Sequence, residues 1–231
     1  MTGATAPDAE VEIRTTDGLT LRADVWSPSQ EAKDKGALVL AHAMFAHKNE
    51  FSRADFASHF ASRGYLVCAF DFRGHGDSES QPNVSYDDLI TRDLPEVVRA
   101  LRLRTDGPVV VVGHSLGGHA AAAASGLGLL DADALVLFGA NMWLRKFEPS
   151  LLRWQAKIAT ASATLAVTRA SGRMPARRLR IGSDDASEAL INAVFRPVTH
   201  GAWASDDLRV DYAEALSRVT VPAIAIVSDG D

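Results

Sequence analysis

The stretch Val109 to Gly118 reads VVVVGHSLGG, and its reading decides the fold. Four consecutive β-branched residues suit a strand buried on both faces, as in the middle of a parallel sheet. Gly113-His114-Ser115-Leu116-Gly117 follows at once and matches the pattern G-x-S-x-G. Beyond it come Gly118, His119 and the run Ala120 to Ala124, which suits a tightly packed helix. Strand, sharp turn and helix are the context in which such a serine is held strained and exposed at the C-terminal edge of a sheet. The helix start behind it offers free N–H groups to a developing negative charge. Ser115 is therefore the candidate nucleophile. The plain alternative is an ordinary strand-to-helix turn.

Working outward, short apolar strands alternate with helical stretches. Val11–Arg14 and Leu19–Trp26 read as strands about an Asp17-Gly18 turn. Ala37–Ala41, Tyr65–Phe70, Ala134–Phe138 and Val221–Val227 read as further strands. Phe51–Arg63 is expected to be one helix stopped by Gly64, and Asp93 is expected to cap a helix with Pro95 in its first turn. Leu116–Leu130 is the helix after the serine, and Asp211–Arg218 a short one. Residues 141–208 break the rhythm. The fold class is α/β, a mostly parallel sheet with helices on both faces.

Bulk properties narrow the function. The 231 residues allow one large α/β domain, possible insertion included. A net charge of −5 gives no general reason to expect nucleic-acid binding. Cys68 is the single cysteine, so no internal disulfide forms, and it reads as a small core residue. The start MTGATAPDAE lacks the basic and apolar regions of a secretory signal, and no apolar stretch is long enough to span a membrane. A cytoplasmic enzyme is the default expectation. His42, His47 and His75 show no ligand spacing, so no metal is expected.

Acyl transfer at a serine needs two amide donors for the oxyanion, one from the residue after the nucleophile and one from a neighbouring strand-end loop. Leu116 supplies the first. Leu40-Ala41-His42-Ala43-Met44-Phe45 lies where the second is needed, with Met44 the candidate and Phe45 next. The pocket is expected among the neighbouring side chains His42, Phe45, His114, Met142 and Trp143. A carboxylate that orients a histidine belongs at the end of a sheet strand. The final strand runs into Ser228-Asp229-Gly230-Asp231, which makes Asp231 the first choice and Asp229 the second. Asp71-Phe72-Arg73-Gly74-His75-Gly76-Asp77-Ser78 reads as a bracing loop rather than as chemistry.

HAMF at 42–45, DFRGHGDS at 71–78, GHSLGG at 113–118 and VSDGD at 227–231 occur in the order of the α/β-hydrolase superfamily, which the chain resembles over roughly residues 11–140 and 219–231. Ala43 stands where many members have glycine. Within the superfamily the chain is most similar to esterases and monoacylglycerol-lipase-like hydrolases. The resemblance implies Ser115 as nucleophile, Asp231 as acid, and the Met44 and Leu116 amides as oxyanion hole. It divides the chain into a core over residues 1–140, a helical cap over 141–208, and a last core helix and strand over 209–231. The family triad also implies a histidine after the acid, and none follows Asp231. By the resemblance, a final strand, helix and histidine are missing, so activity as written is expected to be impaired and Val221–Val227 to form an exposed edge.

The functional expectation is a serine hydrolase that cleaves an ester of a small or medium apolar acyl group through an acyl-enzyme, with a small-molecule ester substrate and no cofactor. The same site serves an acyltransferase, lactonase or perhydrolase. From another class, a non-catalytic binding protein keeps the pocket without the chemistry. Between Arg145 and Arg180 there are nine basic residues and one acid, Glu148. Leu151, Leu152, Trp154, Ile158 and Leu165 are expected to supply an apolar inner face there. Such a lid faces water in the simplest reading, with peripheral contact to an acidic lipid surface as the alternative.

Overall fold

Alternation of short apolar runs with helices builds a seven-stranded sheet in the computed structural model, which describes residues 6–29, 34–52 and 55–228. The strands are β1 (Ala9–Arg14), β2 (Thr20–Trp26), β3 (Ala37–Ala41), β4 (Leu66–Phe70), β5 (Val109–His114) and β6 (Ala134–Phe138). A two-residue pair, β7 (Arg173–Met174) and β8 (Ala186–Ser187), lies outside the sheet, and β9 (Ala223–Ile226) returns to it. The order is β1-β2-β4-β3-β5-β6-β9. β1 and β2 run antiparallel to their neighbours, and every pairing from β4 through β3, β5 and β6 to β9 is parallel.

The central strands are buried along most of their length, and their side chains alternate between two cores with the two-residue period of a strand. Val109 and Val111 join one core with the helices α4 (Leu94–Arg102) and α5 (Leu116–Gly126). Val110 and Val112 face a second core with α1 (Asn49–Ser52) and α2 (Phe56–Ala61). Cys68 is buried, and burial pushes its thiol up to about 12, as suits an inert core residue. β9 forms the far edge, with Ile224 62% exposed.

Two helix expectations are corrected. Phe51–Arg63 is not one helix, because Asp55 sits at φ 53° between α1 and α2, a left-handed conformation that ends a helical run. Asp93 does not cap α4. The helical path begins with α3 (Tyr86–Asp88), where the Ser85 and Asp88 side chains bond each other's backbone N–H as a capping box. A π-turn over Leu89–Asp93 leads into α4, with Leu94 N–H bonded to Leu89 O. Pro95 explains the widening, since it offers no N–H and its ring crowds the preceding turn.

After β6 the chain leaves the sheet for a layer of helices, α6 (Leu151–Ser171), α7 (Ala176–Leu179) and α8 (Glu188–His200), and returns through α9 (Tyr212–Ala215). Trp154, Ala161, Leu165 and Thr168 make the buried stripe of α6. Leu151 and Leu152, expected inside, are 64% and 82% exposed. The 21-residue α6 is longer than its 13-residue partner α8, and of the residues 151–154 in its first turn Trp154 is the buried one. Among the described residues, no helix is long and apolar enough to cross a membrane.

Candidate active site

The turn after β5 places Ser115 at φ 47°, ψ −108°, a strained conformation for a residue with a side chain. Neighbouring strands hold it there. Ser115 N–H donates to Phe138 O of β6 at 2.8 Å, and Gly117 N–H donates to His42 O, just after β3, at 3.1 Å. Glycine is required beside it: a Cβ on Gly117 would lie 2.2 Å from Ala41 O, and one on Gly113 would lie 2.5 Å from Gly118 Cα. Strand and helix therefore meet at backbone distance. Ser115 is half-buried, and its hydroxyl makes no hydrogen bond among the described residues. Leu116 N–H, at the first position of α5, likewise has no acceptor among them.

The loop after β3 is a tight turn closed by Ala46 N–H on Ala43 O at 3.2 Å. Phe45, third in that turn, has φ 64°. A positive φ at this position is ordinary for glycine and costs a bulky residue roughly 1 kcal/mol or more. Contacts across the molecule hold it. Ser183 N–H and Asp184 N–H both donate to Phe45 O, at 2.8 and 3.0 Å. The turn leaves the Met44 and Phe45 amides without protein acceptors among the described residues. Met44 and Phe45 border a cavity of about 500 Å³, with His47, Glu50, Arg180 and Ser183 on its other walls.

His42 is fully buried. Its Nδ1–H donates to Ala43 O at 2.8 Å and its Nε2 accepts Phe72 N–H at 3.1 Å. These partners fix one neutral tautomer, and burial holds its pKa well below the ordinary imidazole value. His42 thus ties the Met44 turn to the 71–78 loop and presents no ring nitrogen to a ligand. His114 lies on the opposite side of β5 from Val109 and Val111, where its Nδ1 meets Glu50 Oε1. That hydrogen bond raises its pKa. Met142 and Trp143 are half-buried below the helical layer, and Trp143 stacks on Phe195 at 5.9 Å and borders a separate cavity with Lys157. Of the five expected pocket residues, Phe45 is the one on the cavity beside the Met44 turn. Asp229 and Asp231 lie outside the described residues.

The 71–78 loop is a charge-braced support. Asp71 accepts Lys48 N–H at 2.6 Å and Asp77 N–H at 3.0 Å, and Lys48 Nζ reaches Asp77 at 2.8 Å. Burial would lower the Lys48 pKa, but Asp77, Asp71 and Asp24 outweigh it and raise it. Arg73 is fully buried, with Asp93 at 2.7 Å and Asp17 at 2.8 Å. Burial pushes Asp93 up to about 6 against the pull of Arg73. His75 and His119 are held neutral by burial, His119 lowered to about 4, and the Nε2 of each has no hydrogen-bond partner among the described residues. His200 bonds Thr199 at the end of α8, and His47 borders the cavity beside the Met44 turn. Sequence reasoning missed Glu50, Lys48 and Asp184. Their partners are distant in the chain, so no local spacing signals them.

A mostly parallel sheet with a serine on a strained strand-to-helix turn, flanked by a loop with free amides, defines an α/β-hydrolase. The chain belongs to the family described as Serine aminopeptidase, S33, which matches residues 32–210. It is 34% identical over 109 residues to a monoacylglycerol lipase of Mycolicibacterium smegmatis, covering 44% of this chain and 35% of that protein. It is 37% identical over 86 residues to an sn-1-specific diacylglycerol lipase of Mus musculus, covering 37% of this chain and 26% of that one. The matches thus span about a third of these relatives' length. Among solved structures, a hypothetical protein of Pseudomonas aeruginosa superposes with a TM-score of 0.66 at 19% identity, covering 99% of this chain and 79% of that one. An esterase of Exiguobacterium antarcticum gives 0.62 at 19% identity, covering 94% and 80%. At that identity the likeness is one of fold.

Proposed function

We propose that the protein is a serine hydrolase that cleaves a carboxylic ester of a small or medium apolar acyl group through an acyl-enzyme on Ser115. What supports this reading is the strained turn at Ser115, together with Leu116 and Met44 amides that have no protein acceptor among the described residues. In this reading Ser115 Oγ attacks the ester carbonyl and gives its proton to a general base, by the resemblance a histidine, with Asp231 as the acid that would orient it. Leu116 N–H and Met44 N–H hold the oxyanion, the alcohol departs with a proton, and water then releases the acid. The α6–α8 layer acts as a cap, its 182–184 segment shaping the pocket through Phe45.

A second reading has one observation in its favour. Among the described residues no imidazole bonds Ser115, and a serine without a base is a weak nucleophile. A binding protein that keeps the pocket fits that arrangement. A fluorophosphonate probe separates the two. The hydrolase reading expects a phosphonyl adduct on Ser115 that Ser115→Ala abolishes. Ester ligands that bind while Ser115 stays unmodified would overturn it.

A further inference from the structure

One side chain spans the gap between the Met44 turn and the serine turn. Glu50 Oε2 accepts Ala43 N–H at 3.0 Å, and Glu50 Oε1 meets Nδ1 of His114. Ala43 is the first residue of the turn that presents the Met44 amide, and His114 immediately precedes Ser115. The backbone contact Gly117 N–H to His42 O joins the same two segments at their base. Glu50 joins them from α1, and among the described residues it is the one residue of α1 on the cavity beside the Met44 turn. Oxyanion stabilisation depends on donors held at short range from where charge develops, so the separation of these two turns is a catalytic variable.

We propose that Glu50 is a positioning residue that sets the distance between the Met44 amide and Ser115 by holding Ala43 and His114 together, and that protonation of His114 tightens this hold. The inference rests on the hydrolase reading of the site. An ionised carboxylate that receives a backbone N–H and an imidazolium makes two charge-assisted bonds; with neutral imidazole the second weakens. The surrounding charges act in the same direction. Burial pushes the Glu50 carboxyl up, but His114, the Ala43 amide and His47 outweigh it and leave it lowered. Arg180 borders the cavity that Glu50 lines. His42, just after β3, is buried and neutral. Glu50 thus stays ionised while His114 gains and loses its proton. His114 is raised by its partner, so the protonated clamp persists above the ordinary imidazole pKa and loosens as pH rises through the folded value.

The test uses the whole chain and Glu50→Gln, which keeps an acceptor for Ala43 N–H but removes the charge. Histidine NMR titration is expected to show the proton affinity of His114 falling about tenfold in the variant, the order expected for loss of an adjacent opposite charge. The Ala43 amide is expected to exchange faster. Fluorophosphonate modification of Ser115 is expected to slow about tenfold in its limiting rate with little change in probe affinity, and the wild-type advantage is expected to shrink above the His114 transition. Thermal unfolding checks that the variant is folded, and Glu50→Asp supplies a second variant that keeps the charge and shortens the reach. An unshifted His114 titration in Glu50→Gln overturns the clamp. A shifted titration with an unchanged labelling rate overturns the positioning role. Wild-type protein that is never modified overturns the hydrolase reading instead.

Discussion

Two residues of the proposed site hold uncommon backbone conformations, Ser115 at φ 47° and Phe45 at φ 64°. The strand-to-helix turn at Ser115 is legible in the sequence, because glycines on either side of a serine after four valines announce a crowded turn. Phe45 is not. Ala43 stands where glycine is common in similar chains, yet the strain falls two residues later and is held by amides from Ser183 and Asp184 far along the chain. The tolerance is narrow at Gly117, where an added Cβ meets the backbone of Ala41 rather than a flexible side chain. Gly117→Ala is therefore expected to destabilise the fold by about 3 kcal/mol, the upper end of overpacking. Urea unfolding measures it, and a value near zero would mean that strand and helix are not in backbone contact.

Among the elements, the helical path from Tyr86 to Arg102 differs most from its sequence reading. Asp93 and Pro95 form a plausible helix start, but Ser85 and Asp88 provide the actual cap, and the π-turn absorbs the proline. The turn also places Asp93 against Arg73, with both side chains fully buried. Such a pair stabilises little against an apolar isostere, while removal of one partner strands the other. Asp93→Ala is expected to cost about 3–5 kcal/mol by chemical denaturation. Arg92→Ala removes ion pairs of a side chain that is 43% exposed and is expected to cost less than about 1 kcal/mol. Equal costs would contradict the bracing role. The parallel strands, by contrast, were legible because burial on both faces demands continuous apolar runs. The exposure of Leu151 and Leu152 at the start of α6 was not, because apolar residues beside the buried Trp154 read as one inner face.

Across the whole molecule, buried neutral histidines link stability to pH. Burial lowers the pKa of His42, His75 and His119, the last to about 4. Between the ordinary imidazole value of about 6.5 and that folded value, the unfolded chain binds more protons, so stability falls as pH drops through this window. For His119 the shift from 6.5 to about 4 corresponds to at most about 3 kcal/mol. His114 has the opposite sign, contributing fully at low pH and losing its contribution as pH rises through its raised value. Urea midpoints are expected to fall from pH 7 to pH 4.5, with a shallower fall in His119→Gln. An unchanged slope in that variant would contradict the burial. Overall architecture and the placing of the serine could be read from patterning and motif order. The clamp of Glu50 and the charge braces could not, because they join segments that sequence spacing does not relate.

The most direct test of the site is a crystal structure of the protein after fluorophosphonate treatment. The account predicts a phosphonyl group on Ser115 Oγ, with its oxygen about 2.7–3.1 Å from both the Leu116 and Met44 nitrogens. An adduct whose oxygen faces neither amide, or modification at another residue, would contradict it.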